Sequence, residues 1–275
     1  MEEELKLKTE EVTRNYDLQS TISTILKLSY KSLTIKEFLD LALDILFSLP
    51  WFIARSVGCI FLYNEEAGVL KLTARKNFPA QLLKPCNEVQ IGRCLCGLAA
   101  LRKEIVYKNC VDGEHEITFE DIPEHGHYCV PIIMKDRVLG VLNVDIDTEH
   151  KKNDTEVQLL LMFADTLASI IDRKMADDKL EYLANYDALT GIPNRTLLFD
   201  RLAQSINQSK RYKDKTAVLY IDLDKFKPIN DKYGHDAGDA VLRKTSNRLK
   251  RSVRDIDTIA RLGGDEFAIV IRGFI

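Results

Sequence analysis

Glycine and proline are absent from Glu2 to Phe47 and again from Thr155 to Asn185, and these two gaps constrain the architecture more than any other feature. Both residues interrupt helices, so each gap can hold a long continuous one. In the first, Leu18, Ile22, Ile25 and Leu26 recur at helical spacing, which predicts one opening helix. In the second, Val157, Leu161, Ala164, Ala168, Ile171 and Met175 alternate steps of four and three. That is the stripe of a coiled coil, which would hold two copies parallel as a homodimer; it also suits a single amphipathic helix lying on its own domain. Between Val57 and Asp147 the texture changes to short β-rich runs, VGCIFLYN, VLKLTAR, EIVYKN, YCVPIIM and RVLGVLNVDID, separated by Gly, Asn, Pro and charged breaks. These read as an antiparallel sheet, its last two runs joined through Lys135 and Asp136 as a hairpin.

With 45% hydrophobic and 29% charged residues, the 275-residue chain is globular and long enough for two modest domains. A net charge of -3 and a pI near 6.0 offer no basic surface for a nucleic-acid backbone. The most apolar stretch, Ala42 to Ala54, contains Asp44 and Pro50 and is far shorter than the roughly 20 residues that cross a bilayer. The start, MEEELKLKTEE, lacks the basic-then-apolar order of a secretory signal. The expectation is a cytoplasmic chain whose six cysteines are thiols or ligands rather than disulfides.

After Asp187 the pattern is α/β: a helix around Leu197 to Gln208, a strand from Ala217 to Ile221 expected at the sheet centre, a loop to His235, a helix from Gly238 to Val253 and a hairpin. In RLGGDEFAIVI, Arg261 to Ile271, the two glycines lie between β-prone runs and suit a two-residue turn with positive φ at Gly263 and Gly264. Asp265 and Glu266 then sit beside that turn, and Asp222 and Asp224 end the preceding strand. Hard oxygen ligands in such a place suit Mg²⁺ together with phosphate oxygens, so the set reads as a nucleotide site.

Four islands, DALTGIPNR from Asp187, YIDLDKFKPIND from Tyr220, YGHDAGDAVL from Tyr233 and RLGGDEF from Arg261, occur in the order found in the GGDEF family of diguanylate cyclases, which this segment resembles. The resemblance implies an adenylyl-cyclase-like α/β domain that condenses two GTP into cyclic di-GMP with release of pyrophosphate. It implies that Asp222, the Leu223 carbonyl and Asp265 hold Mg²⁺ or Mn²⁺, with Glu266 close to the reacting groups. By the same resemblance Asn230 and Asp239 read guanine, Lys227 faces phosphate and the Gly263–Gly264 hairpin carries the nucleotide. Each domain takes one GTP and two domains meet antiparallel, so the monomer is inert. Arg254 and Asp257 fall where the family has its inhibitory product site. Family members continue with further helices and strands beyond the point reached at Ile275. A C-terminally truncated, non-catalytic domain that binds GTP or cyclic di-GMP is the alternative.

From about Thr21 to Asp172 the order of elements resembles a GAF domain, on Gly92 and Gly97, RKEIVYKN and VPIIMKDRVLGVLNVD. That implies a six-stranded sheet flanked by helices which commonly holds a small ligand. The expected division is an N-terminal helix over 1–20, the GAF-like domain over 21–172, a signalling helix over 155–186 overlapping it, and the GGDEF segment over 187–275. Cys94, Cys96, Cys110, His115, His125, His127 and Cys129 crowd into a short part of the GAF-like segment. Thiolate and imidazole clusters suit Zn²⁺, an iron–sulfur centre or haem, which makes a metal or redox sensor a further reading; an organic ligand and a purely dimerising role stay open. Cys59 and Cys86 read as core or surface fillers.

Overall fold

The computed structural model describes residues 2–52, 54–117 and 124–274. They form two compact units, Met1–Met175 and Ala176–Ile275, of mixed helix and sheet.

The first unit opens with two helices where the sequence suggested one: α1, Glu2–Ser29, and α2, Ile35–Leu46. The break has a local cause. Thr34 accepts from the Glu37 N–H while the Glu37 carboxylate accepts from the Thr34 N–H, a reciprocal cap that starts a new helix. The signal was present as T-x-x-E without any glycine or proline.

Six antiparallel strands follow: β1 (Gly58–Asn64), β2 (Val69–Lys76), β3 (Glu88–Gln90), β4 (Val106–Lys108), β5 (Gly126–Met134) and β6 (Arg137–Ile146), in the order β3-β2-β1-β6-β5-β4. The five expected runs are all strands; β3 was not foreseen, nor was the helix α3, Cys94–Arg102. β5 and β6 turn through Lys135 and Asp136, both at positive φ, with Met134 opposite Arg137. Side chains alternate across the sheet. Ile60, Val130 and Leu142 face a core shared with Phe38, Leu43, Phe163 and Leu167 of the long helices, while Cys59, Phe61, Cys129 and Val141 face α3 through Leu95 and Ala99. The sheet is therefore covered on both sides.

The last helix of this unit, α4, runs Asp154–Asn185 and continues into the second unit. Its first half lies on its own sheet, burying Leu160, Phe163, Ala164, Leu167, Ala168 and Ile171. Of the heptad stripe, Ala164, Ala168 and Ile171 are thus consumed by the domain's own core, while Leu161 and Met175 stay exposed at 40% and 42%. No helix among the described residues is long and apolar enough to cross a membrane.

The second unit contains α5 (Arg195–Tyr212), β7 (Lys215–Asp222), α6 (Phe226–Tyr233), α7 (His235–Ser252), β8 (Thr258–Gly263) and β9 (Glu266–Phe274). Its strands pair antiparallel in the order β7-β9-β8. This overturns one expectation: β9, not β7, is the central strand of this sheet, because it pairs on both sides. Phe267, Ala268 and Val270 are buried accordingly, whereas Val218, Leu219 and Tyr220 of β7 are exposed. The expected loop before His235 is also corrected, since most of it is α6.

Candidate functional site

Asp222 ends β7 directly opposite Glu266, which begins β9, so the β7–β9 ladder alone brings two distant acidic residues to one end of the sheet. The turn between β8 and β9 lies one residue later than the sequence suggested. Gly263 pairs with Glu266, leaving Gly264 and Asp265 as the two turn residues. Gly263 and Gly264 both have the expected positive φ, +151° and +50°, while Asp265 does not share it, so that glycine is needed at the first of the two turn positions and at the strand residue before it. Asp265 is therefore held inside the turn, half-buried, next to the exposed Glu266 and Asp222. Among the described residues these carboxylates do not close into a three-ligand cluster; they form an open, hard-oxygen face.

Arg261 fixes that face from behind. Its Nε and Nη2 donate to the Gly264 carbonyl at 2.9 and 2.7 Å, and its Nη1 donates to both Asp187 oxygens at 3.1 Å. Asp187 also accepts from the Thr190 N–H and hydroxyl at 2.9 and 2.5 Å. The same segment caps the end of α4: Asn194 Nδ2 donates to the Ala184 carbonyl at 2.8 Å, and its Oδ1 accepts from Leu197 N–H to start α5. The DALTGIPNR island is thus a clasp between the end of one helix, the start of the next and the GG turn.

Partial burial pushes the Asp187 pKa up, but the bonds from Thr190 and the Arg261 guanidinium outweigh it and leave it below the ordinary carboxylate value. A depressed pKa stabilises the fold above the unfolded value near 4, and that contribution is lost as pH falls through the folded value. Asp187→Asn is expected to cost about 2 kcal/mol at pH 7, the scale of hydrogen bonds to a charged group. In thermal melts at stepped pH, the gap between wild type and variant should shrink as pH falls below about 4.

Asn230 lies on α6 with its Oδ1 buried and without a partner, against Gly238 of α7, where an added Cβ would come within 1.9 Å of that oxygen. Asp239 follows, half-buried, in the first turns of α7, and Lys227 is exposed on α6. Arg254 and Asp257 form a tight turn: the Asp257 N–H donates to the Arg254 carbonyl at 2.9 Å, and the Asp257 carboxylate accepts from the Arg254 and Arg272 N–H groups at 3.1 and 3.2 Å. Both line a cavity of about 400 Å³ together with Arg201, Lys250 and Arg272.

In the first unit, His115, His125 and His127 come together, all buried, with one ring nitrogen of each within 4.8 Å of the others. They line a pocket of about 40 Å³ that also receives Cys59, Cys86, Cys94 and Cys96. Cys129 is buried alongside, its sulfur 3.7 Å from that of Cys96, and Cys110 is exposed. Sequence reading missed Cys59 and Cys86, which are pocket residues; only the alternation Cys59, Phe61 along β1 pointed there. Burial pushes the Cys86 thiol up to about 12 and raises Cys59, Cys94 and Cys129 as well. Burial and then the neighbouring His127 and His125 push His115 down to about 4, so its ring is neutral near pH 7.

Comparison with known proteins follows the same division. The family profile described as GAF domain matches residues 32–172, and that described as diguanylate cyclase, GGDEF domain matches residues 184–274. A bifunctional diguanylate cyclase/cyclic di-GMP phosphodiesterase, MucR, of Pseudomonas aeruginosa is 52% identical over 96 residues, covering 35% of this chain and 14% of MucR. The diguanylate cyclase TpbB of the same species is 44% identical over 92 residues, 34% of this chain and 21% of TpbB. The chain thus matches only a minor part of either relative's length. The solved GAF domain of a phosphoenolpyruvate-protein phosphotransferase from Coxiella burnetii superposes on 60% of this chain and 98% of its own with TM-score 0.52 at 19% identity, a likeness of fold. The chain belongs to the GAF domain family through residues 32–172 and carries behind it, over residues 184–274, a GGDEF domain.

Proposed function

We propose that this chain is a cyclic di-GMP signalling protein whose GGDEF domain condenses two GTP into cyclic di-GMP under the control of its GAF domain. The observation that supports it best is the pairing of Asp222 with Glu266 beside the Asp265 turn, an acidic, solvent-open face clamped by Arg261. Hard oxygen donors at a strand end and a turn fit Mg²⁺ or Mn²⁺, and Asp222, the Leu223 carbonyl and Asp265 would hold it. When bound, the ion would neutralise charge developing on the attacked α-phosphate and the departing pyrophosphate. Asn230, its Oδ1 unpartnered, can accept from a guanine N–H while its Nδ2 donates, and Asp239 accepts from the same edge. Lys227 supplies a phosphate partner. Each 3′-hydroxyl attacks the α-phosphorus of the other nucleotide, forming two P–O bonds and releasing two pyrophosphates, so two domains must face each other. The exposed Leu161 and Met175 of α4 are available to a homodimer contact.

A second reading is supported by the cavity of about 400 Å³ behind Arg254 and Asp257: cyclic di-GMP binds there, as product inhibitor or, in a domain without turnover, as the signal itself. With the Asp257 carboxylate already engaged by two backbone N–H groups, the free guanidinium chemistry of Arg254 carries most of the anion recognition. Arg254→Ala should weaken cyclic di-GMP binding about tenfold or more, the loss of a charged hydrogen bond. Calorimetric titration checks it; unchanged affinity would place the product elsewhere.

A further inference from the structure

The GAF pocket contains buried chemistry that the cyclase reading does not use. β5 supplies His127, and His125 extends the same alternation one position before the strand. His115 arrives from the segment after β4, which is held in place independently: the His115 N–H donates to the Asp112 carbonyl at 2.9 Å, Lys108 bridges Asp112 and Glu114 at 2.6 Å each, and Arg93 pairs with Glu116 at 2.8 Å. The three rings pack with centroids 4.5 to 5.5 Å apart. An imidazole lone pair held away from water is costly unless it finds a proton donor or an acceptor of electrons.

Two ring nitrogens show that cost directly. His127 Nδ1 lies 3.1 Å from Asn143 Oδ1 and 3.2 Å from Asp145 Oδ1, and Asn143 Nδ2 donates to Asp145 Oδ1 at 2.9 Å. Facing two acceptor oxygens, Nδ1 carries the proton, which places the lone pair on Nε2. That Nε2 is buried without a hydrogen-bond partner, as is His115 Nδ1. A carboxylate behind one imidazole nitrogen and an unpartnered lone pair on the other is the arrangement that orients a metal-bound histidine.

We propose that His115, His125 and His127 bind a divalent first-row transition ion through imidazole nitrogen, with an open coordination position facing the thiol-lined cavity. Imidazole sets of this kind suit Zn²⁺, Fe²⁺, Ni²⁺ or Cu²⁺. Nitrogens 2.0 to 2.1 Å from a tetrahedral ion are about 3.3 Å apart, so the set within 4.8 Å has to close by up to about 1.5 Å, through ring rotation and small shifts of the segment that carries His115. Three protein ligands leave a fourth position free. The cavity of about 40 Å³ admits a water or a molecule of a few atoms there and excludes a porphyrin. Cys94, Cys96 and Cys129 line or flank this space but do not join the three-ligand group.

The test is Co²⁺ titration of the chelator-treated full chain, followed by visible absorption and by melting. One Co²⁺ per chain is expected, with ligand-field bands and no intense thiolate-to-cobalt band, and with a higher melting temperature for the GAF unit. The double variant His115→Gln, His127→Gln should bind at least 100-fold more weakly, its circular dichroism confirming the fold. Asp145→Asn, which leaves all three ligands in place, should weaken binding about 10- to 100-fold by releasing the His127 ring. No stoichiometric uptake by wild type, a strong thiolate band, or uptake unchanged in the double and Asp145→Asn variants would overturn the assignment.

Discussion

Replacing Asp265 and Glu266 together by alanine is expected to lower the proposed cyclic di-GMP synthesis by about a thousandfold or more while leaving the melting temperature nearly unchanged. The reason is positional. Both side chains stand at the solvent-open end of the sheet, Glu266 exposed and Asp265 half-buried in a turn whose geometry depends on Gly264 and Arg261 rather than on the carboxylate. Exposed substitutions away from packing usually change stability within about 0.5 kcal/mol. Charge stabilisation by a held cation supplies several kcal/mol of transition-state energy, and each 1.36 kcal/mol is tenfold in rate. A product assay over hours and a thermal melt separate the two effects; activity retained within tenfold would remove Asp265 from the metal site and Glu266 from the reacting groups.

Gly140→Ala is expected to destabilise the GAF unit by about 3 kcal/mol, at the upper end for overpacking, and to lower its transition by about 6–12 °C. Gly140 sits in β6 opposite Leu62, and an added Cβ would lie 2.1 Å from the Phe61 carbonyl oxygen. That oxygen is backbone in the middle of a sheet covered on both faces, so no rotamer change relieves the contact. Gly113→Ala is the matched control, because nothing lies within 4 Å of the position its Cβ would take. Differential scanning calorimetry should show the first variant shifted and the second silent; equal transitions would mean that β1 and β6 separate at little cost.

The elements that could be read from sequence are those with a local cause. Short β-prone runs bounded by Gly, Asn, Pro and charged breaks marked β1, β2, β4, β5 and β6, and the pair Lys135–Asp136 marked the β5–β6 hairpin, because composition and turn length are short-range properties. The opening helix was overextended because its break at Thr34 uses a capping box instead of a helix-breaking residue. The heptad stripe of α4 fitted a partner helix and its own domain equally well, because periodicity does not say which surface a stripe meets; half of it packs on the sheet of its own unit. The place of β7 was misjudged for a similar reason: apolar residues suggested a central strand, but pairing, which is long-range, makes β9 central and leaves Tyr220 63% exposed. At the signature, glycine pairs fit two turn registers, and only the ladder pairing Gly263 with Glu266 selects the one that holds Asp265 in the turn. In the GAF pocket the histidines stood out by crowding, whereas Asn143 and Asp145, which orient His127, became visible only through the β5–β6 register.

The most direct test of the central claim is incubation of this chain with GTP and Mg²⁺, with chromatography for cyclic di-GMP and pyrophosphate across a range of protein concentration. The proposed condensation gives one cyclic di-GMP for every two pyrophosphates, with specific activity expected to rise as the chain dimerises. GTP recovered intact at concentrations where the chain is dimeric would contradict it.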